Sequence, residues 1–342
     1  MVMATILSFV MASLGQDTIK IETNLVRVPV VVLDRSGRYI PNLTKADFHI
    51  LEDGKRQEID TFSPVNEPIT AYLLLDTSPS MTGYMDNLAV AAGEFLNQLR
   101  DDDRVYLGIF GSEQKLLIKG EKVSKLRKEN KVIPINPIPG TYVFDAVDDA
   151  IKRLSKIKGR KAIVLFSDAQ SDSRMATAND NFREAEEQDA LIYTVRYGDI
   201  TVRPEWVAAQ NVRKQVAESG YSILDQDKVE EIVPWWDIEA TGDGKLKGNE
   251  LEAQKMRVKG YMDSLAAKTG GRSFEIEKIE NLAAVFQQIT LELRRTYTLS
   301  YYSDSDSGPE RRKLEVKVDV PDAAVRAKRE IVIPQAKPAQ SH

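Results

Sequence analysis

Four apolar runs recur through the middle of this chain: AYLLL at Ala71–Leu75, VYLGIF at Val105–Phe110, AIVLF at Ala162–Phe166 and LIYTV at Leu191–Val195. They lack the polar–apolar alternation of a half-exposed strand, so both faces of each are covered. Segments of helical spacing separate them. Tyr84–Arg100 puts Leu88, Ala92, Phe95, Leu96 and Leu99 on one stripe, and Phe144–Lys156 does so with Val147, Ile151 and Leu154. Asn179–Asp189 also reads as helical. Buried strands joined by amphipathic helices predict an α/β fold, a doubly wound and mostly parallel sheet with helices on both faces. Such sheets bind ligands at the carboxyl ends of their strands.

The rhythm breaks over residues 200–256, a polar stretch that carries Trp235 and Trp236 and reads as an insertion. It resumes with a helix at Met262–Lys268, a stop at Gly270 and Gly271, a strand at Arg272–Ile276 and a last helix at Asn281–Arg294. The α/β domain is therefore expected over 69–295. Strand patterns bracket it. Leu25–Leu33 is rich in β-branched residues, and Phe48–Leu51 and Gln57–Asp60 flank the Gly-containing turn Glu52–Lys55. Tyr297–Tyr302, Lys313–Val320 and Arg329–Ile333 read as strands on the other side. Neither half has enough strands for its own core. Residues 17–68 and 296–334 are thus expected to build one small β-sandwich into which the α/β domain is inserted, with 335–342 as a tail.

The chain has no cysteine and two histidines, His49 and His342, among 342 residues. Cys/His zinc sites, thiol nucleophiles and disulfide frameworks are excluded, and a Ser-His-Asp triad has almost nothing to draw on. Any metal site must be built from oxygen. A net charge of -5 argues against nucleic-acid binding, which needs a basic surface. Residues 1–16 are apolar and then small and polar, like a signal peptide without its basic start, and are too short to span a membrane. That segment predicts an extracytoplasmic protein: periplasmic, secreted or surface-attached.

The first central strand runs into Asp76-Thr77-Ser78-Pro79-Ser80, DTSPS. At the carboxyl edge of a parallel sheet, Asp76, Ser78 and Ser80 face one small volume. One carboxylate and two hydroxyls suit a hard cation such as Mg²⁺ or Mn²⁺. Two neighbouring loops offer more oxygen: Thr141 in the loop before the Phe144 helix, and Asp168 at the end of the Ala162–Phe166 strand. The plainer alternative is that Asp76, Ser78 and Asp168 cap the helices that follow them.

DTSPS resembles the DxSxS motif of the von Willebrand factor A (VWA) family, GTYVFDAV its threonine loop, and VLFSDAQSDS its aspartate loop. The resemblance spans roughly residues 69–199 and 260–295. It implies a Rossmann-like VWA domain with a metal-ion-dependent adhesion site (MIDAS) whose ligands are Asp76, Ser78, Ser80, Thr141 and Asp168. It also implies a protein ligand whose Asp or Glu completes the metal shell. The flanks VRVPVVVLDRSGRYIPNLTKADFHILEDGKRQEI and TYTLSYYSD…RRKLEVKVDV resemble the ends of a VWFA-related subfamily known from Acidobacteria.

Within the insertion, residues 239–250 match part of an EF-hand loop. Glu239, Thr241, Asp243, Lys245 (through its carbonyl) and Glu250 are the candidate Ca²⁺ ligands, and Gly244 is the turn glycine. Glu239 stands where the pattern wants Asp, which crowds the first ligand position. An exposed turn built on Asp243-Gly244 is the alternative. The functional expectation is a non-enzymatic, metal-dependent protein-binding module, with no nucleic acid and no membrane span. A structural subunit of an envelope assembly is the alternative. A phosphatase of the haloacid dehalogenase kind fits poorly, because its second aspartate would fall at Ser78.

Overall fold

A computed structural model describes residues 24–63, 67–129, 134–168, 175–198, 248–303 and 311–333. The expected leader, the tail and insertion residues 200–247 lie outside them. The N-terminal segment gives β1 (Asn24–Leu33), β2 (Phe48–Glu52), β3 (Lys55–Gln57) and β4 (Thr61–Ser63). The central segment follows with β5 (Ile69–Asp76), α1 (Met85–Gln98), β6 (Arg104–Phe110), β7 (Gln114–Lys122), α2 (Val123–Glu129), α3 (Val143–Ser155) and β8 (Arg160–Ser167). It continues with α4 (Ala178–Glu187), β9 (Leu191–Tyr197), α5 (Gly248–Thr269), β10 (Ser273–Ile276) and α6 (Leu282–Leu293). The described elements end with β11 (Tyr297–Ser303), β12 (Arg311–Val318), β13 (Ala324–Arg326) and β14 (Glu330–Val332).

The central sheet has the order β10-β9-β8-β5-β6-β7. Every neighbouring pair is parallel except β6 and β7, so the sheet is mixed. Alternate residues of β5 go to opposite faces, as a pleated strand requires. Leu73 and Leu75 pack with Phe95 of α1 and Phe286 of α6. Tyr72 and Leu74 pack with Val147 and Ile151 of α3 and Met262 of α5. Helices thus cover both faces, which is why β5, β8 and β9 are buried along their whole length.

Strands from both ends of the chain share two further sheets, ordered β13-β1-β11-β4 and β14-β12-β2-β3. Val28, Val30, Ile50, Tyr297, Leu299, Leu314 and Ile331 form one apolar cluster between them.

Several features depart from the sequence reading: the strand expected at Gln57–Asp60 is found at Lys55–Gln57, β4, α2 and β13 have no counterpart in it, and three more concern the α/β domain. Strand β7 has only the short apolar run Leu116-Leu117-Ile118 to announce it: Ile118 is its one buried residue, and two register shifts break its alternation against β6. These are devices of an exposed edge strand. Helix α5 starts at Gly248, not Met262, and the insertion is correspondingly shorter. Met256 and Arg257 are exposed, and Val258 is the first buried residue among those described. Helix α1 is preceded by a 3-10 helix over Pro79–Tyr84, so the α-helix begins one residue late.

Helix α4 opens on a reciprocal cap. Thr177 Oγ1 accepts from Asp180 N–H at 3.2 Å, and Asp180 Oδ2 accepts from Thr177 N–H at 3.0 Å. Thr177→Ala removes half of this box and should cost about 1 kcal/mol in urea unfolding. An unchanged midpoint would show that the cap is dispensable.

Candidate metal centre

Strands β5 and β8 lie side by side and parallel, with Leu75 opposite Phe166. That register sets Asp76 beside Ser167 and puts Asp168 one residue further along the same edge. Asp76 is fully buried and Asp168 is 3% exposed. The Asp76 carboxylate is held at both oxygens: Oδ1 accepts the Ser78 backbone N–H at 2.9 Å, and Oδ2 accepts the Ser167 hydroxyl. Ser78 Oγ and Ser80 Oγ are 3.0 Å apart. Ser78 is buried and Ser80 half-buried.

The helix-capping alternative makes a checkable demand on the serine. Ser78 does occupy the N-cap of the 3-10 helix, but its side chain makes no capping hydrogen bond there. The hydroxyl instead engages Ser80 Oγ and the Asp76 carboxylate.

Backbone hydrogen bonds draw the threonine loop to this edge. Thr77 bonds the end of β6 through its N–H and hydroxyl, both donating to the Phe110 carbonyl at 2.9 and 3.1 Å. Its own carbonyl accepts Ile138 N–H at 2.9 Å. Ser112 N–H donates to the Pro139 carbonyl and Tyr142 N–H to the Gly111 carbonyl. Between these anchors Gly140 has φ +70°, a left-handed conformation that glycine adopts without penalty. Thr141 follows it, 7% exposed. Asp145, in the first turn of α3, accepts N–H bonds from Met175 at 3.0 Å and Ala176 at 2.7 Å. The chain returning from the aspartate loop is thereby pinned to the helix that follows Thr141. Residues 169–174 lie outside the described set.

Burial, and secondarily the charge of Asp168, pushes the Asp76 carboxyl up to about 7; its hydrogen bonds from Ser167 and Ser78 pull the other way. Two buried carboxylates that repel one another, beside neutral hydroxyls, form an oxygen set that a divalent cation would relieve. Among the described residues no group of three or more His, Cys, Asp or Glu side chains could hold a metal. A cation here therefore needs the hydroxyls of Ser78, Ser80 and Thr141 as much as the carboxylates. The residues present fit Mg²⁺ or Mn²⁺ in donor type.

The second candidate site lies mostly elsewhere. Glu239, Thr241, Asp243 and Lys245 fall outside the described residues, and Glu250 falls in the first turn of α5. Two residues the sequence reading passed over belong to the first site. Ser167 directly precedes Asp168 in the sequence, but its role depends on the register of β8 against β5. Gly111 directly follows the Val105–Phe110 strand, where a close approach by another loop calls for glycine.

No protein-family profile and no curated protein sequence matches this chain. Solved structures do resemble it. An aerotolerance-related membrane protein from Bacteroides fragilis NCTC 9343 is 12% identical, with TM-score 0.39, over 66% of this chain and 99% of that one. BatB from Bacteroides thetaiotaomicron is 15% identical, with TM-score 0.37, over 66% and 98%. A von Willebrand factor type A protein from Catenulispora acidiphila is 12% identical, with TM-score 0.40, over 90% and 69%. No helix among the described residues is long and apolar enough to cross a membrane.

Proposed function

We propose that this protein is a VWA-type, metal-dependent protein-binding module that works outside the cytoplasm. Asp76, Ser78, Ser80, Thr141 and Asp168 hold Mg²⁺ or Mn²⁺ at the carboxyl edge of the central sheet. The observation that carries this reading is the pairing of two buried carboxylates with a serine pair, at an edge where backbone bonds tie in the loop of Thr141. The kinship with the VWFA-related subfamily of Acidobacteria is part of the same proposal and rests on the flanking strand motifs.

The mechanism follows from charge. When bound, the ion supplies an electrophilic coordination position. Asp76 is oriented by donors at both oxygens, so its carboxylate need not be ordered on binding. Ser78, Ser80 and Thr141 contribute neutral oxygens and leave the site short of negative charge. A partner's Asp or Glu at the protein surface makes up the difference. If Asp168 acts through a bridging water, the site is more electrophilic still. Binding rather than catalysis fits the same residues: the position of a second phosphatase aspartate is Ser78, and the one internal histidine, His49, is engaged by Asp319 and Arg56 on the surface of β2. Glu239, Thr241, Asp243, Lys245 and Glu250 remain the proposed ligands of a weak second site for Ca²⁺.

Calorimetric titration of Mn²⁺ and Mg²⁺ into metal-free protein tests this reading. One saturable site is expected in wild type and none in Thr141→Ala, with unchanged circular dichroism. Wild type that takes up neither ion removes the metal, and leaves a purely structural subunit as the better description.

A further inference from the structure

We infer that Ser167 is a positioning residue of the metal centre, one that sets the Asp76 carboxylate without touching the ion. This rests on the metal-binding reading above and adds a sixth residue to it. Ser167 is the last residue of β8 and is fully buried. Its hydroxyl donates to Asp76 Oδ2, while the Ser78 N–H donates to Oδ1 at 2.9 Å. A carboxylate turns freely about its last torsion unless both oxygens are claimed. Here one claim comes from the loop of Asp76 itself and the other from the neighbouring strand. The strand register forces the second: with Leu75 opposite Phe166, residue 167 lies alongside residue 76. A serine there is the smallest side chain with a hydroxyl to offer.

Two oxygens offer four acceptor positions, and the donors at Asp76 are the Ser167 hydroxyl and the Ser78 hydroxyl and N–H, so an acceptor position remains for a cation. Ser167 therefore orders the ligand without competing for it. It also lies directly before Asp168, so one strand end provides a ligand and the donor that steadies the ligand opposite.

The test is Mn²⁺ affinity in Ser167→Ala and Ser167→Thr, with the electron paramagnetic resonance spectrum of the bound ion as second readout. Loss of such an outer hydrogen bond typically lowers metal affinity by about 10–100-fold. Ser167→Ala should fall in that range and broaden the Mn²⁺ spectrum, since a swinging carboxylate makes the coordination heterogeneous. Ser167→Thr keeps the hydroxyl and should restore both towards wild type. A role in packing alone would leave the spectrum of the bound ion unchanged. If Ser167→Ala binds as tightly as wild type with the same spectrum, the positioning role is wrong while the metal site stands. If wild type itself binds no Mn²⁺, the metal reading fails, and this inference with it.

Discussion

An Asp76→Asn variant keeps its fold and loses the Mn²⁺-dependent gain in melting temperature. Asparagine has the shape of aspartate. Its amide oxygen still accepts the Ser78 N–H, and its amide nitrogen donates to Ser167 Oγ, so both existing bonds have a counterpart. What disappears is the charge, and with it the direct anionic ligand. A ligand present at 100 times its dissociation constant stabilises the folded state by about 2.7 kcal/mol. For a domain of ordinary size that is a rise of about 5–10 °C, which chelation with EDTA should reverse in wild type. The Asn variant should melt at one temperature with Mn²⁺ or with EDTA. A variant that still gains several degrees with Mn²⁺ would mean that the stabilising ion sits elsewhere.

Gly111→Ala should cripple the same site without altering any ligand. A Cβ at Gly111 would lie 2.4 Å from the Ile138 carbonyl oxygen and 2.7 Å from that of Pro139. Both are backbone atoms, and both belong to the strap that leads into Gly140 and Thr141. They have little freedom to yield, because Ile138 N–H is bonded to Thr77 and the Pro139 carbonyl to Ser112. Relief of the clash pushes the threonine loop away from the Asp76 loop. We expect a stability loss of about 1–3 kcal/mol, typical of overpacking. We also expect Mn²⁺ affinity to fall by at least about tenfold, the lower end of what a displaced supporting group costs. Gly93→Ala is the control: a Cβ there, within α1, meets nothing within 4 Å. It should leave metal binding untouched and stabilise by about 0.5–1 kcal/mol. Equal Mn²⁺ affinity in Gly111→Ala and wild type would show that the strap does not set the position of Thr141.

The central strands were readable because burial on both faces leaves no choice of residue type: Leu73, Leu74 and Leu75 cannot be replaced by polar residues on either side of the sheet. The same logic explains where reading stops. Strand β7 has solvent along one side, so Lys115 and Lys119 are as acceptable as Leu116, and no period survives the two register shifts. Helix α5 begins well before its first buried residue among those described, and Met256 is exposed. Strand β13 has three residues, too few for any pattern, and exists because Val31, Val32 and Leu33 of β1 offer an edge to it. At the candidate site, DTSPS and the two partner loops announce themselves by residue type. Ser167 and Gly111 do not, because their contributions depend on what stands across from them: the first on strand register, the second on a loop 27 positions later approaching its α-carbon.

Anomalous diffraction from crystals grown with Mn²⁺ reaches the central claim most directly. The account predicts one strong peak at the carboxyl edge of the central sheet, bounded by Asp76, Ser78, Ser80 and Thr141, with Asp168 as direct or water-bridged neighbour. A map with no peak there, or with Mn²⁺ bound only at some other place on the chain, would contradict it.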